Sequence, residues 1–190
     1  GTAIEEINIP KNVVTMYSDT DDRGYAENYE SALAGATSLT KVTFADGMVT
    51  IPSRAVQNCT TVTEVIISDT VTTIDSYAFS GCSGFNEIVF PLNLIKINDY
   101  AFNGCTGINE VIFPSTVTIV GRSAFEGCTS LTDIELNEGI TKIDMYAFKG
   151  CANLSDLTIP ESVTYIGARF IQGTAIEEIN IPKNVVTMYS

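Results

Sequence analysis

Apolar residues along this chain follow one template that returns every 23 residues, as residues 128–150, CTSLTDIELNEGITKIDMYAFKG, show. A triple comes first (Leu131, Ile134, Leu136), then a pair (Ile140, Ile143), then Ala147-Phe148 and a closing Gly150. The triple recurs at Leu39, Val42, Phe44; Val62, Val65, Ile67; Phe85, Ile88, Phe90; Ile108, Val111, Phe113; and Leu154, Leu157, Ile159. Its last two members alternate with polar residues, the period of a strand with one buried face. Each coil returns in the same direction, so these strands stack in parallel on one face. Pro91, Pro114 and Pro160 end them, where a missing N–H does least harm. The pairs Val71/Ile74, Leu94/Ile97, Val117/Val120 and Val163/Ile166 predict a second short strand in each coil. The next residue is Asp75, Asn98, Gly121, Asp144 or Gly167, types that tolerate left-handed backbone, which predicts a turn there. Phe79, Phe102, Phe125 and Phe148, each followed two residues on by glycine, predict a 3₁₀-like turn and an aromatic spine. The fold expected is a repeat solenoid, mainly β, of about eight coils forming a single domain over residues 1–190.

Two features interrupt or frame this register. Asp19–Glu30 is a 12-residue acidic insertion, and insertions in solenoids map to loops on one face. The 18 residues GTAIEEINIPKNVVTMYS at 1–18 return unchanged at 173–190, which implies a recent block duplication or an engineered seam. Neither end carries a polar capping repeat, so the chain reads as a piece of a longer array.

Cys59, Cys82, Cys105, Cys128 and Cys151 hold one place in five successive coils. Parallel side chains facing a core favour packing over bridging, so these thiols are expected reduced and buried. The formal net charge of −13 disfavours nucleic acid as a partner, because phosphates are held by Lys and Arg. No apolar run approaches the roughly 18–20 residues of a membrane-spanning helix. Histidine is absent, and no nucleophile-elbow, phosphate-loop or zinc-protease motif occurs. The chain is therefore read as not an enzyme; carboxylate-based carbohydrate chemistry is the third-ranked reading.

Two places carry candidate chemistry. The outward position between strand anchors holds Glu6, Lys41, Glu64, Glu87, Glu110, Asp133, Asp156 and Glu178, seven of them acidic. Like charges about 5 Å apart repel by ~0.8 kcal/mol per neighbour in water, and a chance surface would mix signs. Ile66, Val89 and Ile112 lie two residues further along the same strands. An acidic row beside aliphatics suits a docking surface, with Glu64, Ile66, Glu87, Val89, Glu110, Ile112 and Asp133 as contact residues. The alternative is a solvated face with β-branched residues present for strand propensity. In the insertion, Asp19, Asp21, Gly24 and Glu30 fall at positions 1, 3, 6 and 12 of an EF-hand calcium loop. Arg23 stands at position 5, where an oxygen ligand belongs, so a plain acidic loop is the other reading. Calcium at Asp19, Asp21 and Glu30 is the only cofactor the sequence suggests.

The pattern Cys-x-x-Leu-x-x-Ile-x-Ile-Pro-x-x-Val-x-x-Ile-Gly-x-x-Ala-Phe resembles the BspA-type leucine-rich repeat. Cys151–Ile171, CANLSDLTIPESVTYIGARFI, follows it nearly throughout and departs at Phe170 and Ile171. The resemblance covers the chain apart from Asp19–Glu30. It implies a leucine-rich-repeat solenoid of a secreted or surface-anchored protein, usually bacterial or protozoan, associated with adhesion to host or neighbouring-cell proteins. It brings no catalytic residues. The leading expectation is a non-catalytic protein-binding module, and the alternative is a spacer or stalk displaying another domain. Oligomeric state is left open.

Overall fold

The computed structural model describes residues 4–13, 31–33 and 36–188. Its strands, in chain order, are β1 (Glu6–Ile9), β2 (Lys41–Phe44), β3 (Thr50–Ile51), β4 (Glu64–Ile67), β5 (Thr73–Ile74) and β6 (Lys96–Ile97). There follow β7 (Glu110–Ile112), β8 (Ile119–Val120), β9 (Asp133–Glu135), β10 (Lys142–Ile143), β11 (Tyr165–Ile166) and β12 (Thr187–Met188). Every pairing among them is parallel, between residues of consecutive coils. The solenoid expected from the 23-residue template is the fold. Five coils are complete, from Cys59 to Gly173. Coil 2, residues 36–58, has Ala36 in the cysteine position, and coils 1 and 8 are partial, so complete turns number fewer than the eight inferred from register alone.

The two faces differ from expectation in which one carries the continuous sheet. The short second strands form one unbroken seven-stranded ladder, β3-β5-β6-β8-β10-β11-β12. Bonds flank each of its rungs, as where Ile95 N donates to Thr72 O at 2.8 Å and Asn98 N to Ile74 O at 2.9 Å. The longer strands, expected to make a full sheet, form two pieces, β1-β2-β4 and β7-β9. Residues 85–90 and 154–159 keep the burial alternation of a strand but join no ladder. Coil 4 places two phenylalanines, Phe85 and Phe90, at its first and third anchors, and Phe90 stacks on Phe113 of the next coil at 5.8 Å. There the ring stack and the single bond from Asn109 N to Asn86 O, at 3.0 Å, join the two coils in place of a ladder.

Core packing follows the sequence closely. Phe79, Phe102, Phe125 and Phe148 stack in a spine, with centroids 4.9, 5.1 and 5.9 Å apart. All five cysteines are free and buried. Each thiol donates to a carbonyl 26 residues earlier, as Cys82 Sγ to Val56 O at 2.9 Å and Cys105 Sγ to Phe79 O at 3.0 Å. A cysteine thus fills the space of a small hydrophobe and adds a second donor to a carbonyl that already accepts a backbone N–H, as Val56 O does from Cys59 N at 3.1 Å, which neither alanine nor valine can do.

The turn after the second strand departs from two expectations. Left-handed backbone lies two residues beyond the predicted position, at Arg54, Tyr77, Tyr100, Ser123, Tyr146 and Arg169, with φ between 52° and 61°. Asp75 and Asp144 instead bond the following amide through Oδ1, at 2.8 and 2.7 Å. The Ala-Phe segment is not a 3₁₀ turn, and no helix occurs among the described residues. Ala78, Ser80 and Cys82 donate backwards within the turn, whereas Tyr77, Phe79 and Gly81 donate forward to Asp99, Ala101 and Asn103 of the next coil. A left-handed residue at each end turns alternate N–H groups along the solenoid axis, so half the turn's donors hold coils together. The closing glycines take φ of 71–77°, a left-handed backbone that side chains rarely adopt, while a β-carbon on Gly150 would make only an ordinary contact with Gly127.

Candidate functional site

The interrupted strand face is where the candidate contact residues lie. Its rows follow from the parity of the strand. Val65, Ile88, Val111 and Ile134 point inward, so Glu64, Glu87, Glu110 and Asp133 on one side, and Ile66, Val89, Ile112 and Glu135 on the other, point out. Val89 is 69% exposed and Ile112 52%, although both are aliphatic.

Glu87, Val89, Glu110 and Ile112 are brought together in one groove of about 270 Å³ between coils 4 and 5, where the first interruption lies. Phe90 and Pro114 complete its walls, with Leu92, which is 70% exposed. A second groove of about 500 Å³ lies by the interruption at coil 7, lined by Glu110, Asp133, Glu135, Asp156 and Thr158 among others. The first groove is aliphatic with acids at its rim; the second is mostly acidic and hydroxylated, with Ile134, Leu136 and Leu157 also in its lining. Both are open clefts rather than enclosed chambers, a shape that suits a protruding peptide segment better than a small molecule buried on all sides.

Glu64 and Ile66 stand apart from these grooves. Glu64 pairs with Lys41 Nζ at 3.0 Å, and the hydrogen bond and charge of Glu64, with the further charge of Glu6, raise the Lys41 pKa. Lys41, the exception in the acidic row, therefore neutralises its N-terminal third. No described cation pairs with Glu87, Glu110, Asp133 or Asp156. The negative field is left concentrated on coils 4 to 7.

Leu92 escaped the sequence reading, yet a signal was present. Its register equivalents are Asp69, Ser115, Glu138 and Glu161, so a leucine there is the one apolar choice at an exposed position. Asp19, Asp21 and Glu30, expected as calcium ligands, lie outside the described residues. Among the described residues no group of three or more Cys, Asp or Glu side chains is arranged to hold a metal. No described helix is long and apolar enough to cross a membrane.

On the opposite edge, the left-handed positions form a ridge. Tyr77 and Tyr100 stack at 4.7 Å with rings nearly parallel, and the Arg54 guanidinium lies over Tyr77 at 4.4 Å. These contacts join coils 2, 3 and 4 along the axis. They serve the same end as the forward hydrogen bonds of the turn.

Comparison with known proteins agrees with the geometry. The model of the BspA type leucine rich repeat region matches residues 25–98 and 72–190 in six copies. A leucine-rich repeat protein of T. pallidum is 26% identical, with a TM-score of 0.68 over 86% of this chain and 67% of its own. A leucine rich cell surface protein of Faecalibacterium prausnitzii is 28% identical, with a TM-score of 0.73 over 94% of this chain and 48% of its own. A leucine-rich repeat protein of Bacteroides ovatus is 27% identical, with a TM-score of 0.65 over 97% and 53% respectively. The chain thus spans about half the length of the latter two. No curated protein matches.

Proposed function

The chain belongs to the BspA-type leucine-rich repeat family, and on that premise we propose that it is a non-catalytic protein-binding module of a secreted or cell-surface protein, acting in adhesion through its strand face. The observation that carries this reading is the groove between coils 4 and 5. Val89, Leu92 and Ile112 are exposed side by side, flanked by Glu87 and Glu110. Aliphatic anchors ringed by like charges match the apolar core and polar rim of a protein interface. The partner that fits is a protein segment presenting an aliphatic or aromatic side chain with Lys or Arg beside it. A surface location is supported by the Faecalibacterium relative, which is described as a cell surface protein.

The test is a phage-displayed peptide library selected on the wild-type chain. Selected peptides should share an apolar residue flanked by basic ones. Val89→Ser with Ile112→Ser should weaken them mainly through faster dissociation, whereas Glu87→Gln with Glu110→Gln should slow association and flatten its salt dependence. All four side chains point outward, so circular dichroism should be unchanged. Peptides that bind both double variants as tightly as the wild type would overturn the reading. The spacer role would then stand, supported by the unbroken seven-stranded ladder.

A further inference from the structure

We propose that the turn of coil 5 carries a binding slot for a tyrosine side chain of a partner protein, which enters tip-first between the rings of Tyr100 and Tyr146 and meets Ser123 at its floor. The left-handed position of four successive coils is held by Tyr77, Tyr100, Ser123 and Tyr146, with φ of 60°, 60°, 52° and 61°. The backbone is the same in each, so coil 5 puts a short side chain where coils 3, 4 and 6 put a ring. Hydrogen bonds along the axis fix the spacing, with Tyr100 N donating to Arg122 O at 2.8 Å and Ser123 N to Met145 O at 2.9 Å. Tyr77 and Tyr100, one coil apart, stack at 4.7 Å with rings 2° from parallel. Tyr100 and Tyr146 are two such steps apart, which leaves the thickness of one ring between them at the separation aromatic pairs favour.

A second, independent observation marks the floor. Ser123 is 1% exposed, and its Oγ is the one buried side-chain polar atom among the described residues without a hydrogen-bond partner. The Glu126 carboxylate, which could accept from it, is held by Lys149 Nζ at 2.6 Å. A buried hydroxyl left unpaired costs free energy that a guest's polar group would recover. Phenylalanine supplies no such group. Tyrosine carries one at the tip of its ring, the part that reaches the floor.

Two cationic side chains roof the slot. The Arg122 guanidinium lies 5.9 Å and the Lys149 ammonium 4.9 Å from the centre of the Tyr146 ring. Arg122 belongs to coil 5, and Lys149 is drawn to Glu126 of coil 5, so both lie on the side of Tyr146 that faces Ser123. They cover Ser123 without tying the slot shut, because Arg122 is exposed and its distance is the longest of the described cation–ring contacts. A guest ring displaces both charged ends to its rim and outer face, where cations attract an electron-rich ring. Coil 3 shows the finished arrangement. There Tyr77 sits between Tyr100 and the Arg54 guanidinium, which is 4.4 Å from its ring centre.

Titration of the isotope-labelled full chain with N-acetyl-tyrosinamide, followed by amide NMR, tests the slot. N-acetyl-phenylalaninamide and N-acetyl-leucinamide serve as controls. At millimolar concentration the tyrosine probe should shift the amides of Tyr100, Ser123 and Tyr146 in a saturable way. It should bind several-fold more tightly than the phenylalanine probe, and the leucine probe should leave these amides in place. Ser123→Ala keeps the slot and removes the hydroxyl, so the tyrosine and phenylalanine probes should then bind alike. Ser123→Tyr fills the slot with the chain's own ring and should abolish saturable binding of the tyrosine probe. That variant takes a backbone that tyrosine already holds at Tyr77, Tyr100 and Tyr146, so circular dichroism should be unchanged. No saturable shift at these amides, a shift that the leucine probe matches, a tyrosine preference that survives Ser123→Ala, or binding unaltered in Ser123→Tyr would overturn the proposal.

Discussion

Identical sequence folds differently at the two ends of this molecule. Glu6–Ile9 is a strand with Ile9 only 2% exposed, whereas residues 178–181, the same four amino acids, join no ladder and leave Ile181 37% exposed. The second strand of the template is formed at the far end, where Thr187–Met188 pairs with Tyr165–Ile166. Local propensity is the same in both copies, so it decides nothing. What decides is which side a neighbouring coil covers, as expected where each repeat contacts only its neighbours.

Stability measurements can break or sharpen this comparison. The largest effect is expected inside the stack. Phe102→Ala removes a ring sandwiched between Phe79 and Phe125 and should cost about 3–5 kcal/mol in urea unfolding. A far smaller loss would mean that flanking on both sides does not set the scale. Next come the twin positions. Ile9→Ala should cost about 2–4 kcal/mol and Ile181→Ala about 1 kcal/mol or less, although the deleted atoms are the same. Equal losses would return the decision to local sequence.

The thiol column offers a further gradient. Burial pushes Cys59 up to about 11 and Cys151 up to about 12, and raises Cys105 and Cys128 well above the ordinary thiol range. A thiol with its folded pKa above its unfolded one contributes stability that is intact below about pH 8.5 and is lost as pH climbs through the folded value. Cys59, nearest the N-terminal end, should therefore be the first alkylated by iodoacetamide as pH is raised, with Cys105 and Cys128 last by peptide mass analysis. Val186→Thr should change least, within about 0.5 kcal/mol at low concentration, because this side chain is exposed. A clear destabilisation there would reveal that something covers coil 8 in solution.

The 23-residue period was legible because the chain marks it redundantly, with a cysteine, Ala-Phe and glycine in fixed places. Parity along the strand likewise exposed Glu87, Val89, Glu110 and Ile112 as outward-facing. The interrupted sheet was not legible, since Phe85 and Phe90 satisfy the apolar template as well as valine or isoleucine would. Leu154, Leu157 and Ile159 fit the template equally and also join no ladder, so the anchors carry no mark of where pairing stops. The left-handed position was hidden for a related reason. Tyr77, Tyr100 and Tyr146 are not residues that favour such backbone, and hydrogen bonds to the next coil hold them there. Leu92 was missed because a lone exposed leucine becomes informative only once its register equivalents are aligned beside it.

A ladder that is continuous along one side and broken along the other is mechanically a leaf hinge. Bending about the seven-stranded side would spread the groove between coils 4 and 5 at the cost of the Asn109 N to Asn86 O bond and the Phe90–Phe113 stack rather than of a full ladder. A wedge pressed into the groove beside Val89 is thereby converted into curvature of the whole rod. Tension applied to one end is returned as a change in how wide that groove stands. Small-angle scattering of the chain with and without a selected peptide would register that change of curvature as a shift in radius of gyration.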